Sequence, residues 1–334
     1  MTDNIKSIIK FVVFLSIGLG LLALAFVNLD LDYDKVMNGF KSANYFWIGM
    51  ALLVSVLSHF LRAIRWNQML EPMGTKPSAI HAFNAVMIGY LFNFAIPRMG
   101  EVSRCGVLNR TDKIPINQSL GTVVVERVFD MIILLVVTAL VLLLQFDVLF
   151  GFFNETFFQP IIQKVKMSNS YALIGVFVLL IAMIVVFIKL IPWFKKSTLF
   201  SKILNMLKGF ADGFASVFKL KSPALFFTYT LFIWVLYYLN TYCYIMAFSE
   251  TSSIGFLATL SILVVGTFGF AAPVSGGIGA YHIFVAKGLA LYGVSSVAGG
   301  IFGFVSHGMQ MLMILIIGSF SLIYTLIKER KMLA

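Results

Sequence analysis

The chain alternates long apolar stretches with short polar segments. A helix needs about 20 apolar residues to cross a hydrocarbon core of about 30 Å. The first suitable stretch also resembles a signal peptide, but the later spans make a cleavable signal unnecessary, so we expect it to be retained. The pattern predicts an all-α polytopic membrane protein, a single integral membrane domain over 1–334. It would have about six full transmembrane helices, at roughly 8–27, 46–63, 123–144, 171–191, 224–248 and 297–327.

Two further apolar segments are shorter and are interrupted by proline and glycine. The segment 79–96 ends at Pro97, whereas 257–272 ends at Pro273 and is followed by a short apolar run, 278–292. Broken helices are tolerated at membrane depth where neighbouring protein segments satisfy their backbone groups. We therefore expect two re-entrant hairpins, one near 79–104 and one near 257–292.

Lysine and arginine residues indicate the orientation, because they accumulate on the cytoplasmic side of membrane proteins. If 79–96 crossed the membrane fully, the lysine-rich segment 189–221 would lie outside. A hairpin that returns to the cytoplasm instead places most of the 25 Lys and Arg residues inside, together with both termini. For the second broken segment, a hairpin and two short crossings give the same orientation. There we expect a hairpin by analogy with the first.

The two breaks resemble each other in sequence. FAIPRMGE at 94–101 and FAAPVSGG at 270–277 share Phe, Ala, Pro and Gly in register, and the same shift superimposes the helices that flank them. We therefore expect an inverted-topology repeat with halves 8–144 and 171–327, a pattern typical of transporters. The alternative is that Pro and Gly only kink ordinary helices.

A separate segment lies between the two halves. Apolar residues recur at helical spacing over 195–221, and lysines occupy the intervening positions. This pattern predicts an amphipathic helix on the cytoplasmic membrane surface, with its lysines near anionic headgroups. The alternative is a solvated connector with incidental apolar residues.

Composition and charge narrow the functional classes. The chain is 60% hydrophobic and 12% charged, about half the charged fraction of an ordinary soluble domain. Its net charge of +11 comes from short basic segments between apolar runs rather than from one polar face, so no nucleic acid partner is expected. The cysteines Cys105 and Cys243 and the four histidines have no metal-ligand spacing. We expect no metal, cofactor or redox chemistry.

Charged residues in or beside the apolar segments are concentrated in the first half. Each costs about 2.5–3.5 kcal/mol at a helix centre, so a cluster indicates function. Guanidinium groups bind phosphate bidentately, and a broken helix can direct N–H groups at the same anion. For Arg62, Arg110 and Lys113, an open alternative is that the long cationic side chain snorkels to the headgroups. The candidate residues for binding an anionic, phosphate-bearing lipid headgroup are Arg62, Arg65, Arg98, Glu101, Arg104, Glu126, Arg127 and Asp130.

The second hairpin has no charged residue before Lys287. Its glycines would allow close backbone approach, and its hydroxyl and helix N-terminus would offer neutral donors. The candidate residues here are Pro273, Ser275, Gly276, Gly277, Gly279 and His282.

Four motifs together resemble one family: R-x-x-R-W at 62–66, N-F-x-x-P-R-x-G-E-x-x-R at 93–104, E-R-x-x-D at 126–130 and P-x-x-G-G-x-G at 273–279. They look like the lysylphosphatidylglycerol synthase transmembrane region family, flippase-like membrane proteins of bacteria and archaea. The resemblance covers nearly the whole chain. It implies translocation of an aminoacylated phospholipid, or of a polyprenyl-linked or other lipid, across the cytoplasmic (inner) membrane.

The resemblance also has limits. The best-understood members carry a cytoplasmic synthase domain, which we do not expect here, so a lipid-modifying enzyme encoded separately is a candidate partner. Many members have Glu a few residues after the glycine-rich turn, where this chain has His282. That difference argues against a mechanism that needs an acid there, and it could make this site pH-sensitive.

We therefore expect a lipid flippase or scramblase rather than an enzyme. The chain has no GxxxxGK[ST] nucleotide-binding motif, so transport would be downhill or coupled to an ion through the acidic residues. One alternative is an intramembrane enzyme of the polyprenyl-diphosphate phosphatase type, which would need a nucleophile or base beside the arginines. Another is a carrier of a small anion, which would need a polar lining along several spans.

Overall fold

The computed structural model describes residues 16–153 apart from 18, 75, 97 and 98, the isolated residues 159 and 162, and 217–333 apart from 273. The predicted span at 171–191 and nearly all of the predicted amphipathic helix at 195–221 lie outside these residues. The chain divides into two compact units. One comprises Met1–Val141 with Val217–Ala334, and the other is Leu142–Ser216.

The described residues form α-helices and short 3-10 turns without any strand, which confirms the all-α prediction. Among them, α3, α6, α8 and α11 are long and apolar enough to cross a membrane. The helices are α1 (Leu19–Asn28), α2 (Tyr33–Ser42), α3 (Tyr45–Leu70), α4 (Ala79–Ala95), α5 (Met99–Asp112), α6 (Ile116–Leu144), α7 (Phe146–Phe153), α8 (Pro223–Met246), α9 (Phe256–Ala271), α10 (Ala280–Ala290) and α11 (Ser296–Leu333).

Two helices extend further than the hydropathy pattern predicts. Hydropathy predicts a helix from 123. In the structure this helix begins at Ile116, directly after Pro115, and includes the polar run that follows the proline. The hydroxyl of Ser119 in that run donates to the carbonyl of Ile116 at 3.1 Å. The helix expected to end at 63 continues to Leu70, since its last turns are buried. Charged residues predicted at helix ends therefore lie inside helices.

Local sequence explains where the helices of the first half begin. Asn44 precedes α3, and its side-chain oxygen accepts a hydrogen bond from the Phe46 amide at 3.1 Å. Ser78 precedes α4 and accepts in the same way from the His81 amide at 3.2 Å. Such caps satisfy amide groups that have no partner in the first helical turn.

The first broken segment folds as an antiparallel helix pair. Near the break, a Cβ on Gly89 of α4 would lie 2.9 Å from the carbonyl oxygen of Gly100 on α5. At the open end of the pair, His81 Nδ1 lies 2.9 Å from the Asp112 carboxylate. The close approach requires glycine at 89, since any side chain would push the two helices apart.

The second broken segment forms a similar pair. A Cβ on Gly269 of α9 would lie 2.7 Å from the Cα of Tyr281 on α10. At the other end, the Tyr292 hydroxyl donates to Ser261 Oγ at 2.7 Å. The tips of the two pairs lie together, because a Cβ on Gly276 would lie 3.0 Å from the ring of Phe94 at the end of α4.

The spans α3 and α8 pack against each other in opposite directions. The amide of Asn44 donates to the carbonyl of Ala247 at 2.8 Å, and further along, the side chain of Asn240 donates to the carbonyl of Ala51 at 2.7 Å. The outer faces of the helices carry exposed apolar side chains, such as Phe320 on α11. This arrangement suits a bundle whose surroundings are lipid.

Candidate functional site

Two carboxylates at the junction of α3, α5, α6 and α8 form the centre of the candidate site. Glu126 and Asp130 lie one turn apart on α6 and face two arginines of α3. The Arg62 Nε donates to Glu126 Oε1 at 2.5 Å, and its Nη2 donates to Asp130. The Arg65 Nη2 donates to Asp130 Oδ1 at 2.7 Å and lies 3.4 Å from Glu126 Oε1. Both carboxylates are thus shared by the same pair of guanidinium groups.

A third guanidinium reaches the cluster from the first hairpin. Arg104 of α5 donates from Nη2 to Glu126 Oε2 at 2.8 Å. Its guanidinium also lies over the ring of Trp66, 4.6 Å from the centroid, and the Trp66 indole N–H donates to the Thr122 hydroxyl at 2.8 Å. The stacked tryptophan holds the arginine in place and shields it from lipid.

Helix α8 supplies neutral partners for the arginines of α3. The Arg62 Nη1 donates to the Tyr237 hydroxyl at 2.9 Å, and the Arg65 Nη1 donates to the Thr230 hydroxyl at 3.1 Å. The Arg65 guanidinium also faces the ring of Phe226 at 5.5 Å. Together with the carboxylates, these contacts engage all three guanidinium nitrogens of Arg62 and two of Arg65, whose Nε is buried without a partner. A buried cation requires such partners.

The cluster of Arg62, Arg65, Arg104, Glu126 and Asp130, called the arginine cluster below, is almost shielded from solvent. The Arg65 and Glu126 side chains are 0% exposed, and Arg62 and Arg104 are each 5% exposed. With every group ionised, the cluster has three positive charges against two negative ones. An unbalanced buried positive charge favours an anion in its vicinity.

Two other charged candidates form a separate ion pair beside this cluster. Arg127 Nη2 donates to Glu101 Oε1 at 3.1 Å, and the Arg127 side chain is 43% exposed. The second carboxylate oxygen of Glu101 is buried and has no hydrogen-bond partner. Arg98 lies outside the described residues, so its predicted role stays a prediction.

A small cleft borders the arginine cluster beside the tip of the first hairpin. Arg104 and Arg127 both line it, together with Tyr90 and Asn93 of α4 and the backbone of Gly100. The Asn93 side chain accepts a hydrogen bond from the Gly100 amide at 2.7 Å and so fixes the start of α5. An anion in this cleft would lie beside two guanidinium groups.

The second hairpin has the glycine geometry that its sequence indicates. Gly276, Gly277 and Gly279 have φ values of +58°, +76° and +79°, which L-residues with a side chain rarely adopt. Ser275 is completely buried, and its hydroxyl has no partner. His282 is buried beside them, whereas Pro273 lies outside the described residues.

Two histidines fix the backbone of this turn. The Gly279 amide donates to His282 Nδ1 at 3.2 Å, so that nitrogen is unprotonated. His307 of α11 lies 2.9 Å from the Gly276 carbonyl through Nε2. Because a carbonyl oxygen can only accept, His307 Nε2 carries the hydrogen.

Sequence reasoning missed several members of the site. Tyr237 and Thr230 were not singled out, because their roles depend on how α8 packs against α3. The snorkelling alternative for Arg62 is wrong, since its guanidinium is buried and paired inside the bundle. Gln310 of α11, whose amide donates to the Ser55 hydroxyl at 2.9 Å, was also missed. It follows His307 at a spacing of three along an apolar helix, a signal that could have indicated a polar face.

Comparisons with known proteins agree with the sequence motifs. The family described as the lysylphosphatidylglycerol synthase TM region matches residues 8–318. Two archaeal relatives are a glycosyltransferase, AglD, of Haloferax volcanii and a UPF0104 membrane protein of Methanocaldococcus jannaschii. No solved structure matches the chain.

Both relatives are distant and longer than the matched region. The Haloferax protein is 30% identical over 115 residues, which are 34% of this chain and 18% of that protein. The Methanocaldococcus protein is 28% identical over 143 residues, which are 42% of this chain and 40% of that protein. The family and these relatives indicate a lipid-related function of a multi-pass membrane protein. The family match covers nearly the whole chain, which therefore belongs to the lysylphosphatidylglycerol synthase transmembrane region family.

Proposed function

We propose that this protein moves an anionic, phosphate-bearing lipid across the cytoplasmic membrane, as a flippase or scramblase. The observation that carries the proposal is the arginine cluster, which has one guanidinium more than carboxylates and adjoins a small cleft lined by Arg104 and Arg127. Aminoacyl-phospholipids and polyprenyl-phosphate-linked lipids both have a suitable headgroup. Membrane lipids are then the partners, and a separately encoded lipid-modifying enzyme would supply or use the cargo.

The proposed architecture is an inverted-topology repeat with about six spans, two re-entrant hairpins and cytoplasmic termini. Three geometric features support it. The spans α3 and α8 run in opposite directions, each broken segment returns as an antiparallel pair, and the tips of the two pairs are in contact. In transporters built from inverted repeats, the substrate site forms where the broken helices of the two halves meet.

The cleft has a volume of about 10 Å³, which is room for about one water molecule. In the proposed mechanism it therefore widens as the headgroup enters, and the phosphate binds Arg104 and Arg127. Each of these arginines now pairs with a carboxylate, Glu126 or Glu101, so the phosphate takes the place of the carboxylate. Arg62 and Arg65 are shielded from the cleft by their own partners. They hold Glu126 in position in this conformation and contact the headgroup only when the cluster opens.

The enzyme alternative finds little support at the first hairpin. Ser103 lies close to the cluster in sequence, but its hydroxyl donates to the Gly100 carbonyl at 3.1 Å within its own helix. The small-anion alternative requires a polar lining along several spans, whereas α8 has no charged residue and α11 has none before Lys328. A lipid whose tail stays in the bilayer suits these spans better.

The test uses the purified protein in liposomes with fluorescent phosphatidylglycerol and a fluorescent polyprenyl phosphate. We expect transbilayer movement of at least one lipid, and a loss of at least tenfold in Arg104→Gln. Lys113→Gln removes an exposed cation that follows the same helix and serves as the matched control, which should leave the rate unchanged. Release of phosphate from polyprenyl diphosphate, supplied in a parallel assay, without movement of either lipid would establish the enzyme alternative instead.

A further inference from the structure

A ring of contacts surrounds the point where the two hairpins meet. Its first part joins α3, α4 and α11. The rings of His59 and Tyr90 lie 4.7 Å apart, and Ser55 Oγ lies 3.5 Å from His59 Nε2. The amide of Gln310 donates to the same Ser55 hydroxyl at 2.9 Å. Three separate helices thus contribute uncharged polar groups to one place.

The tip of the second hairpin completes this ring. His307, which lies one turn before Gln310 on α11, donates to the Gly276 carbonyl at 2.9 Å. Gly276 in turn faces Phe94, one turn after Tyr90 on α4. The contacts therefore pass through all four elements and return to the starting helix.

Two buried polar atoms at this ring have no partner. They are Nδ1 of His59 and Oγ of Ser275, in residues that are 5% and 0% exposed. Hydrogen bonds between helices explain contacts such as the one from Gln310 to Ser55 as packing. Packing does not explain donor or acceptor groups left empty, because an unpaired polar atom is costly in an apolar interior.

The ring continues directly from the cleft beside the arginine cluster. Tyr90 lines that cleft and its ring also lies 4.7 Å from that of His59, and His59 lies one turn before Arg62 on α3. Tyr90 and Gln310 are only half-buried, so the ring is partly open. A headgroup whose phosphate lies in the cleft can therefore extend its distal part toward the ring.

We propose that Ser55, His59, Gln310 and the tip 275–277 form a second, uncharged binding site, called the hydroxyl site below. It receives the hydroxyl-bearing part of the headgroup, such as a glycerol or a sugar. This proposal rests on the proposed function, in which the arginine cluster binds the phosphate. The side chains are imidazole, amide and hydroxyl groups, which both donate to and accept from hydroxyls but do not neutralise a charge.

A site of this kind discriminates against a ligand that lacks the hydroxyls, because its polar groups are then left unpaired. Phosphatidylglycerol and phosphatidylethanol with the same acyl chains provide a matched pair of probes. Each has one phosphodiester charge, but the second has an ethyl group in place of glycerol. We expect the full-length protein in detergent to bind phosphatidylglycerol about three- to tenfold more tightly, the effect of roughly one hydrogen bond.

Substitutions test which residues cause the preference for phosphatidylglycerol over phosphatidylethanol. Gln310→Met keeps the side-chain length but removes the amide, and Ser55→Ala removes the hydroxyl that the amide contacts. Each should bring the affinity ratio of the two lipids close to one while phosphatidylethanol binding is unchanged. Ser58→Ala is the matched control, because the Ser58 hydroxyl is buried on the same helix and donates only to the Ser55 backbone carbonyl. It should keep the ratio of the wild type.

The outcomes separate the two proposals. Equal affinity of the wild type for the two lipids, or an unchanged ratio in Ser55→Ala and Gln310→Met, would overturn the hydroxyl site. Liposome transport of both lipids at equal rates would do the same while leaving the proposed function intact. A binding preference in a protein that moves neither of these phospholipids nor the polyprenyl phosphate would refute the proposed function and retain the site. If Gln310→Met fails to fold, Ser55→Ala alone decides.

Discussion

The charge imbalance of the arginine cluster predicts that its carboxylate and its third arginine contribute unequally to stability. Glu126→Gln is nearly isosteric, but it leaves three buried guanidinium groups with Asp130 as their only anion. Removing one partner from a buried ion pair costs about 3–5 kcal/mol, because an uncompensated charge remains. Since Glu126 contacts Arg62, Arg65 and Arg104, we expect a loss at the upper end of this range.

Arg104→Gln changes the charge balance of the arginine cluster in the opposite direction. It leaves two guanidinium groups with two carboxylates, so no unbalanced charge remains. The variant loses a hydrogen bond to a charged group, worth about 1.5–3 kcal/mol, and the stacking on Trp66, worth about 0.5–2 kcal/mol. Relief of the unpaired buried charge offsets part of this loss. We therefore expect a net cost of about 1–2 kcal/mol.

The assay is unfolding by sodium dodecyl sulfate in mixed micelles, followed by the fluorescence of the tryptophans. The double variant with both substitutions restores the original imbalance of one positive charge. It should be more stable than the sum of the single effects predicts, by about 1–3 kcal/mol. A loss in Arg104→Gln that equals or exceeds that in Glu126→Gln, or strict additivity of the two, would refute the reasoning from charge balance.

Three further predictions concern the rest of the molecule. Gly276→Ala should lower stability by at least about 1–2 kcal/mol in the same unfolding assay, because its φ of +58° is left-handed and the new methyl group would meet neighbouring side chains. The pKa of Glu71 is lowered chiefly by its hydrogen bond from Lys221, so Lys221→Gln should raise it toward the ordinary value, as measured by carbon-13 NMR. In the proposed topology, a cysteine in place of Lys113 should react from the cytoplasm, and one in place of Glu250 from outside.

Each of these tests has its own control. Gly74→Ala has a similar φ of +77° but open space around the new methyl group, so it should cost less than the substitution at 276. The ion pair of Glu71 contributes to stability at pH values above the ordinary carboxylate pKa. This contribution is lost as the pH falls through the lowered pKa of Glu71. A pKa of Glu71 that is unchanged in Lys221→Gln would contradict this prediction. The native Cys105 and Cys243 are buried, so they should give little background labelling.

The sequence predicts the elements of the first hairpin better than their ends. The helix α4 ends at Ala95 and Ile96 is extended, as expected of a residue that precedes a proline in the sequence, and this local rule needs no tertiary information. The start of α6 was placed too late, because hydropathy treats polar residues such as Ser119 as a loop. In the folded chain, that residue bonds its own helix backbone and packs inside the bundle. Local polarity and helix formation are separate properties, and hydropathy measures only the first.

The composition of the candidate site was predictable only in part. Helical spacing places Glu126 and Asp130 on one face, so their common environment can be predicted from the sequence. The neutral partners Tyr237 and Thr230 come from a helix that is distant in sequence. Their contribution depends on the antiparallel packing of α3 and α8, which no local pattern specifies. The apolar residues around them also give no signal of a polar contact.

The unequal charge of the two hairpins bears on how a bound headgroup could be released. If arginines alone lined the path, a phosphate would bind tightly and leave slowly, because transport needs binding that is strong enough for entry and weak enough for exit. Glu126 and Glu101 already pair with Arg104 and Arg127, so they can replace the phosphate once it moves on. The tip of the second hairpin, 273–279, has no charged residue that would compete for the phosphate. In the proposed function, the carboxylates are therefore as important for turnover as the arginines are for binding.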